Sequence, residues 1–155
     1  MRVLFICTGN TCRSPLSAEI ARRAARQRGL TDVDARSAGT SAWDDQPASD
    51  GALLVGIERQ LDLSAHRARQ LTREMVDEAD LILVMGPHHL ERVEALGGGG
   101  KAYLLTEYAS YGAASHAVLD PFGGDLEAYR ATIDELEEEI SRAMDRLAAE
   151  RARSQ

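Results

Sequence analysis

Cys7 and Arg13 bracket the run Thr8-Gly9-Asn10-Thr11-Cys12, and Ser14 follows. A thiol and a guanidinium closing one short loop suit the capture of a phosphoryl group. The guanidinium offers phosphoryl oxygens a planar, two-point hydrogen-bonding clamp. Gly9 and Asn10 both tolerate the positive φ that curls a backbone around an anion. A helix starting directly after the loop adds free N–H groups and its dipole to the cradle. The same field favours the thiolate of Cys7, its nucleophilic form, and Ser14 is placed to donate a hydrogen bond to it. The alternative for a lone cysteine is a small buried hydrophobe. Here strand, loop and helix start coincide, which favours nucleophilic phosphoryl chemistry.

Those elements are readable around the loop. Val3-Leu4-Phe5-Ile6 is a continuous apolar run, the pattern of a strand buried on both faces. A helix is expected to begin at Pro15 with Ser14 as N-cap, to bury Leu16, Ile20, Ala21 and Ala24, and to stop at Gly29. A weaker strand over residues 33–37 leads into a loop, then a helix over residues 47–60. Thr72 reads as the N-cap of a short helix through Glu78, and residues 81–85 form the clearest buried strand. Gly86-Pro87 turns into a helix to about Ala95, a fourth strand covers residues 102–105, and residues 106–124 read as a long loop. Leu126, Tyr129, Ile133, Leu136, Ile140, Met144 and Leu147 recur by threes and fours along one helix face. The opposite acidic face (Glu135, Glu137, Glu138, Glu139) reads as solvated. Residues 1–150 make one domain, and residues 151–155 are expected to fray. Alternating strands and helices imply an α/β fold: a four-stranded parallel sheet, order 2-1-3-4, with helices on both faces in a flavodoxin-like arrangement. Ligands of such sheets sit beyond the strand C-termini where the strand order reverses, which is where the Cys7 loop falls.

With 155 residues, 44% of them hydrophobic, the chain can build one real core. Eighteen Lys and Arg against 25 Asp and Glu leave a formal charge of −7, unsuited to nucleic acid or an anionic membrane surface. An anion must therefore be held by local geometry against the overall field. No apolar run reaches the roughly 18 residues of a membrane span. Two cysteines make no disulfide framework, and the apolar run near the N-terminus is too short for a secretory leader. A cytoplasmic protein is expected. His66, His88, His89 and His116 show no metal-ligand spacing, so neither metal nor cofactor is expected.

The stretch from Val3 through Cys7-Thr8-Gly9-Asn10-Thr11-Cys12-Arg13-Ser14-Pro15 resembles the low-molecular-weight protein tyrosine phosphatases. The resemblance continues in Ser37-Ala38-Gly39-Thr40, Trp43, His66-Arg67-Ala68-Arg69-Gln70-Leu71 and Asp120-Pro121, so it covers nearly the whole chain. It implies hydrolysis of phosphorylated protein through a cysteinyl-phosphate, with inorganic phosphate as product. By the same resemblance Cys7 is the nucleophile, Arg13 the phosphate clamp and Ser14 the stabiliser of the thiolate. Asn10 holds the loop's shape, and His66 supports Asn10. Asp120 is the general acid for the leaving group and then the base for water, a contribution typically worth about 10²–10⁴ in rate. It also suits a simple Asp-Pro turn. Cys12 resembles the second loop cysteine that traps an oxidised Cys7 as a disulfide; a small packing residue is the alternative. Trp43 resembles a residue at the pocket rim, or serves as a core edge.

Two positions depart from the tyrosine-specific pattern. Thr11 stands where that branch commonly has isoleucine, and Phe122-Gly123-Gly124 replaces adjacent tyrosines after Asp-Pro. Both resemble the bacterial protein-arginine phosphatases of the same family. Thr11 removes apolar bulk and adds a hydroxyl, and Phe122 leaves a single aromatic wall. Tyrosine phosphatase is the alternative. Arsenate reductases of this fold need resolving cysteines far downstream, and none follows Cys12. A phosphate-carrier domain or a phosphoprotein-binding module would not need Arg13 together with Asp120.

Overall fold

The computed structural model describes residues 1–154. Four strands, β1 (Arg2–Cys7), β2 (Asp34–Gly39), β3 (Leu81–Val84) and β4 (Ala102–Leu104), form one parallel sheet in the order β2-β1-β3-β4. Side chains alternate across β1. Val3, Phe5 and Cys7 join one buried cluster, while Leu4 and Ile6 join another. The first cluster includes residues of α1 (Arg13–Gln27), α2 (Asp50–Glu58), α5 (Leu105–Ala109) and α6 (Leu126–Arg153); the second includes residues of α3 (Arg73–Glu78) and α4 (Pro87–Ala95). Helices thus cover both faces, which is why the central strands carry no polar alternation. Among the described residues, no helix is long and apolar enough to cross a membrane.

Four expectations need correction. Helix α1 starts at Arg13, two residues before Pro15, and its N-cap residue Cys12 makes no side-chain cap bond. Ser14 lies inside the helix, because its hydroxyl is turned to Cys7 instead. The second helix begins later, at Asp50, where the Ser49 side chain accepts from Ala52 N. The segment after β4 is not all loop: Leu105, Tyr108 and Ala109 repeat at helical spacing and are buried, which makes α5. Finally, α6 runs on to Arg153, its last turns tied by Arg146 to Glu150 and by Arg151 to Asp32. Residue 155 lies outside the described residues.

Candidate active site

The β1–α1 connection lies at the C-terminal end of the sheet, between outward neighbours β2 and β3. Leu16 N bonds Cys12 O at 3.1 Å and closes the first turn of α1. Since no side chain caps that helix, its leading N–H groups stay available to an anion.

Asn10 shapes the loop. It sits at φ 57° and is fully buried. That conformation is held from several sides. Its Nδ2 donates to Ser14 Oγ (2.7 Å) and Ser37 Oγ (3.0 Å), and its Oδ1 accepts from Arg69 N (2.9 Å). His66 Nε2 donates to the Asn10 carbonyl at 2.7 Å. Burial holds His66 below the ordinary histidine value, against the pull of that carbonyl. The side chain of Gln70 braces the neighbouring turn by accepting from Ala42 N and donating to Thr40 O.

Cys7 is buried, with Sγ 2.9 Å from Ser14 Oγ. Because Ser14 Oγ accepts from Asn10, its own hydroxyl proton is free to donate to the sulfur; the Ala38 carbonyl is farther, at 3.4 Å. Asn10, Ser14 and Cys7 thus form a polarised chain ending on sulfur. Arg13 is almost fully buried, and its Nη1 donates to Val118 O at 3.1 Å. One carbonyl aims the guanidinium and leaves further N–H groups for an incoming oxyanion.

Val118 also carries Asp120 to the site. Val118 N bonds Met85 O at 2.8 Å, just past β3, and Leu119 N bonds Glu135 Oε1 at 3.0 Å. Glu135 of the supposedly solvated helix face therefore anchors this segment. Asp120 Oδ1 accepts from Phe122 N at 3.0 Å, and Oδ2 stands 3.5 Å from Arg13 Nη2. The Asp-Pro turn and a carboxylate facing the loop coexist.

Thr11 is partly exposed, with its carbonyl held by Ser49 N at 2.8 Å. Trp43 and Phe122 stand out in solvent, 79% and 89% exposed. That excludes the core-edge reading for Trp43. Cys7 and Cys12 are both free thiols. Burial, with Cys7 and Asp120 adding to it, pushes the Cys12 thiol up to about 12, so it is a neutral neighbour of the loop. Among the described residues no cluster of ligands could hold a metal. A groove of about 670 Å³ lies elsewhere, beside β2, with Arg22, Arg36, His66 and Arg69 among the residues that line it. Sequence reasoning missed the contacts of Ser37 and Val118: Ser37 lay within a recognisable motif, whereas Val118 acts through its backbone and carries no signal.

Known proteins agree with this architecture. The low molecular weight phosphotyrosine protein phosphatase family matches residues 2–153. A protein-arginine-phosphatase of Bacillus subtilis (strain 168) is 39% identical over 141 residues, 89% of this chain and 91% of that protein. A low molecular weight protein-tyrosine-phosphatase, PtpB of Staphylococcus haemolyticus, is 36% identical over 137 residues, 88% and 92% of the two chains. The solved YwlE arginine phosphatase mutant with a phosphorylated active-site serine has a TM-score of 0.85 at 36% identity, covering 97% of this chain and 95% of its own. The chain belongs to the low molecular weight phosphotyrosine protein phosphatase family.

Proposed function

We propose that this phosphatase removes the phosphoryl group from arginine side chains of proteins, through a cysteinyl-phosphate on Cys7. The observation that carries the reading is the convergence on one loop of Cys7 Sγ, the Ser14 hydroxyl, the buried Arg13 guanidinium and the Asp120 carboxyl.

Arg13 and the free amides of the loop and α1 bind the phosphoryl oxygens and stabilise the charge that builds on them. The Cys7 thiolate, steadied by Ser14, attacks phosphorus; an S–P bond forms as the P–N bond breaks. The electron pair leaves with the guanidino nitrogen, which takes a proton from Asp120. Asp120, now a carboxylate, accepts a proton from the water that attacks phosphorus. The S–P bond breaks, inorganic phosphate leaves and the thiolate returns. The residues make no demand for a metal or cofactor.

Arginine as the acceptor is supported by Thr11 at the partly exposed loop position, by the exposed Phe122, which has no second aromatic beside it after Asp120-Pro121, and by likeness to a protein-arginine-phosphatase. Asp120 is also placed to receive a guanidinium. Tyrosine is the second reading, favoured by the likeness to PtpB. The test is kcat/KM on phosphoarginine and phosphotyrosine peptides side by side, with Cys7→Ser as control. Preference for phosphoarginine is expected. Preference for phosphotyrosine overturns the substrate and leaves the chemistry; undiminished activity in Cys7→Ser overturns the chemistry.

A further inference from the structure

His89 is the first-turn residue of α4 for which the chemistry above has no use, yet it is among the few fully buried polar side chains. Its Nε2 lies 2.9 Å from Thr8 Oγ1, the residue directly after the nucleophile. Its other ring nitrogen, Nδ1, is the only buried side-chain N or O atom among the described residues without a hydrogen-bond partner. An imidazole this costly to bury persists when one of its bonds matters to something else.

The bond can run either way, and the orphan atom discriminates. If Thr8 donated to Nε2, the imidazole proton would sit on Nδ1 as a buried N–H with nothing to bond. If Nε2–H donates, Nδ1 is a bare lone pair, and unpaired buried acceptors are less rare than unpaired buried donors. The second tautomer is therefore assigned. Thr8 Oγ1 accepts from His89, and its hydroxyl hydrogen remains free to turn toward a bound oxyanion. A charged imidazole is disfavoured here, chiefly by burial and also by nearby His88 and Arg13, which push its pKa down to about 3. The His88 ring centroid is 3.9 Å away.

The surroundings give the imidazole leverage on the loop. Gly86 caps α4 directly after Met85, and Met85 N bonds Ile6 O at 3.0 Å, one residue before the nucleophile. The Thr8 carbonyl is fixed from the other side by Ser41 N at 2.9 Å. His66 and Arg69 hold Asn10 from the β2 side; His89 is the corresponding support from the β3 side.

We propose that His89 is a positioning residue: it acts through Thr8 to hold the first turn of the phosphate loop in its oxyanion-binding shape. The inference rests on the loop being the phosphoryl site, and the experiment separates the two. The probe is inorganic phosphate, read as its ability to protect Cys7 from alkylation by iodoacetamide, with thermal unfolding recorded for each variant. For His89→Ala and Thr8→Val, phosphate protection is expected to weaken by roughly five- to ten-fold, the worth of one lost hydrogen bond between neutral groups. His89→Gln, whose amide N–H reaches the position of Nε2–H, is expected to recover most of the protection; a purely space-filling role gives no such rescue. The double variant His89→Ala/Thr8→Val should be no worse than Thr8→Val alone, because His89 acts only through the Thr8 hydroxyl. If His89→Ala does not fold, Thr8→Val and His89→Gln carry the test. Full protection in Thr8→Val, failure of His89→Gln to protect better than His89→Ala, or multiplying effects in the double variant overturns the role of His89. No protection by phosphate in the wild type overturns the placement of the phosphoryl site instead.

Discussion

Gly39→Ala is a small change with a calculable reach into the catalytic loop. Gly39 ends β2 beside Cys7, and its N–H and C=O are both engaged, with Arg69 O and Leu71 N. A Cβ there would lie 2.4 Å from the Thr8 carbonyl oxygen, 2.9 Å from Asn10 N and 3.0 Å from Ala42 Cβ. Two of these three atoms are backbone of the phosphate loop, so no side chain can swing away. Restoring ordinary contact moves the Thr8 carbonyl by about 1 Å. Misplacement on that scale costs on the order of 10²-fold in rate, about 2.7 kcal/mol of transition-state stabilisation. The overpacking itself is expected to cost about 1–3 kcal/mol of stability, lowering Tm by roughly 2–4 °C for each kcal/mol. A protein of ordinary stability remains folded at 25 °C after such a loss, so the rate reports loop geometry and not unfolding. The assay is kcat/KM on a phosphoarginine peptide together with the calorimetric Tm. Gly99→Ala, where a Cβ meets nothing within 4 Å, is the control and should retain wild-type activity. A Gly39→Ala protein within threefold of wild-type kcat/KM would refute the claim that tight β2–loop packing sets the catalytic geometry.

Thr11→Ile should move the kcat/KM ratio from phosphoarginine toward phosphotyrosine by about tenfold, the scale of a changed pocket contact; an unchanged ratio removes Thr11 from specificity. Cys12→Ser should keep phosphatase activity while peroxide inactivation becomes harder to reverse with thiol, and equal reversibility would make Cys12 a packing residue. Stability should fall in mild acid. Burial holds His89 at about 3 and His66 below its ordinary value, whereas in the unfolded chain both titrate near 6.5. Their contribution is complete above about pH 6.5 and is lost as the pH falls below it, because the unfolded chain then binds protons that the folded one refuses. For His89 alone the loss is about 2 kcal/mol at pH 5. Wild-type Tm should drop between pH 7 and pH 5 more steeply than that of His89→Gln, and equal slopes would contradict the assignment.

What could be read in advance followed the strength of local signals. The apolar runs at Val3–Ile6 and residues 81–85 need burial on both faces, and one parallel sheet supplies it, so strand order and loop position were legible together. The Cys7-to-Ser14 run was legible from its residue types, but of the two residues read as tolerating a positive φ only Asn10 adopts one and Gly9 does not. The starting point of α1 was not, because Ser14 has two possible jobs. Capping is the commoner one for a serine near a helix start, and only the folded chain brings the Cys7 sulfur within reach of its hydroxyl. Helix α5 escaped notice because the helical spacing of Leu105, Tyr108 and Ala109 spans a single turn, too short to stand out from a loop before their burial is known. The supports of Asp120 were invisible for another reason: the Met85 carbonyl and the Arg13 side chain, far from it in the chain, meet Val118 only at its backbone N–H and C=O.

The central claim is that the phosphoryl group passes through Cys7. Asp120→Asn should slow turnover by about 10²–10⁴-fold and slow the water attack that clears the intermediate. Rapid acid quenching of that variant with a phosphoarginine peptide, followed by peptide mass spectrometry, reads the acceptor directly. The mechanism predicts one phosphoryl group on the peptide containing Cys7, absent in Cys7→Ala. A phosphoryl group on any other residue, or full turnover in Cys7→Ala, would contradict it.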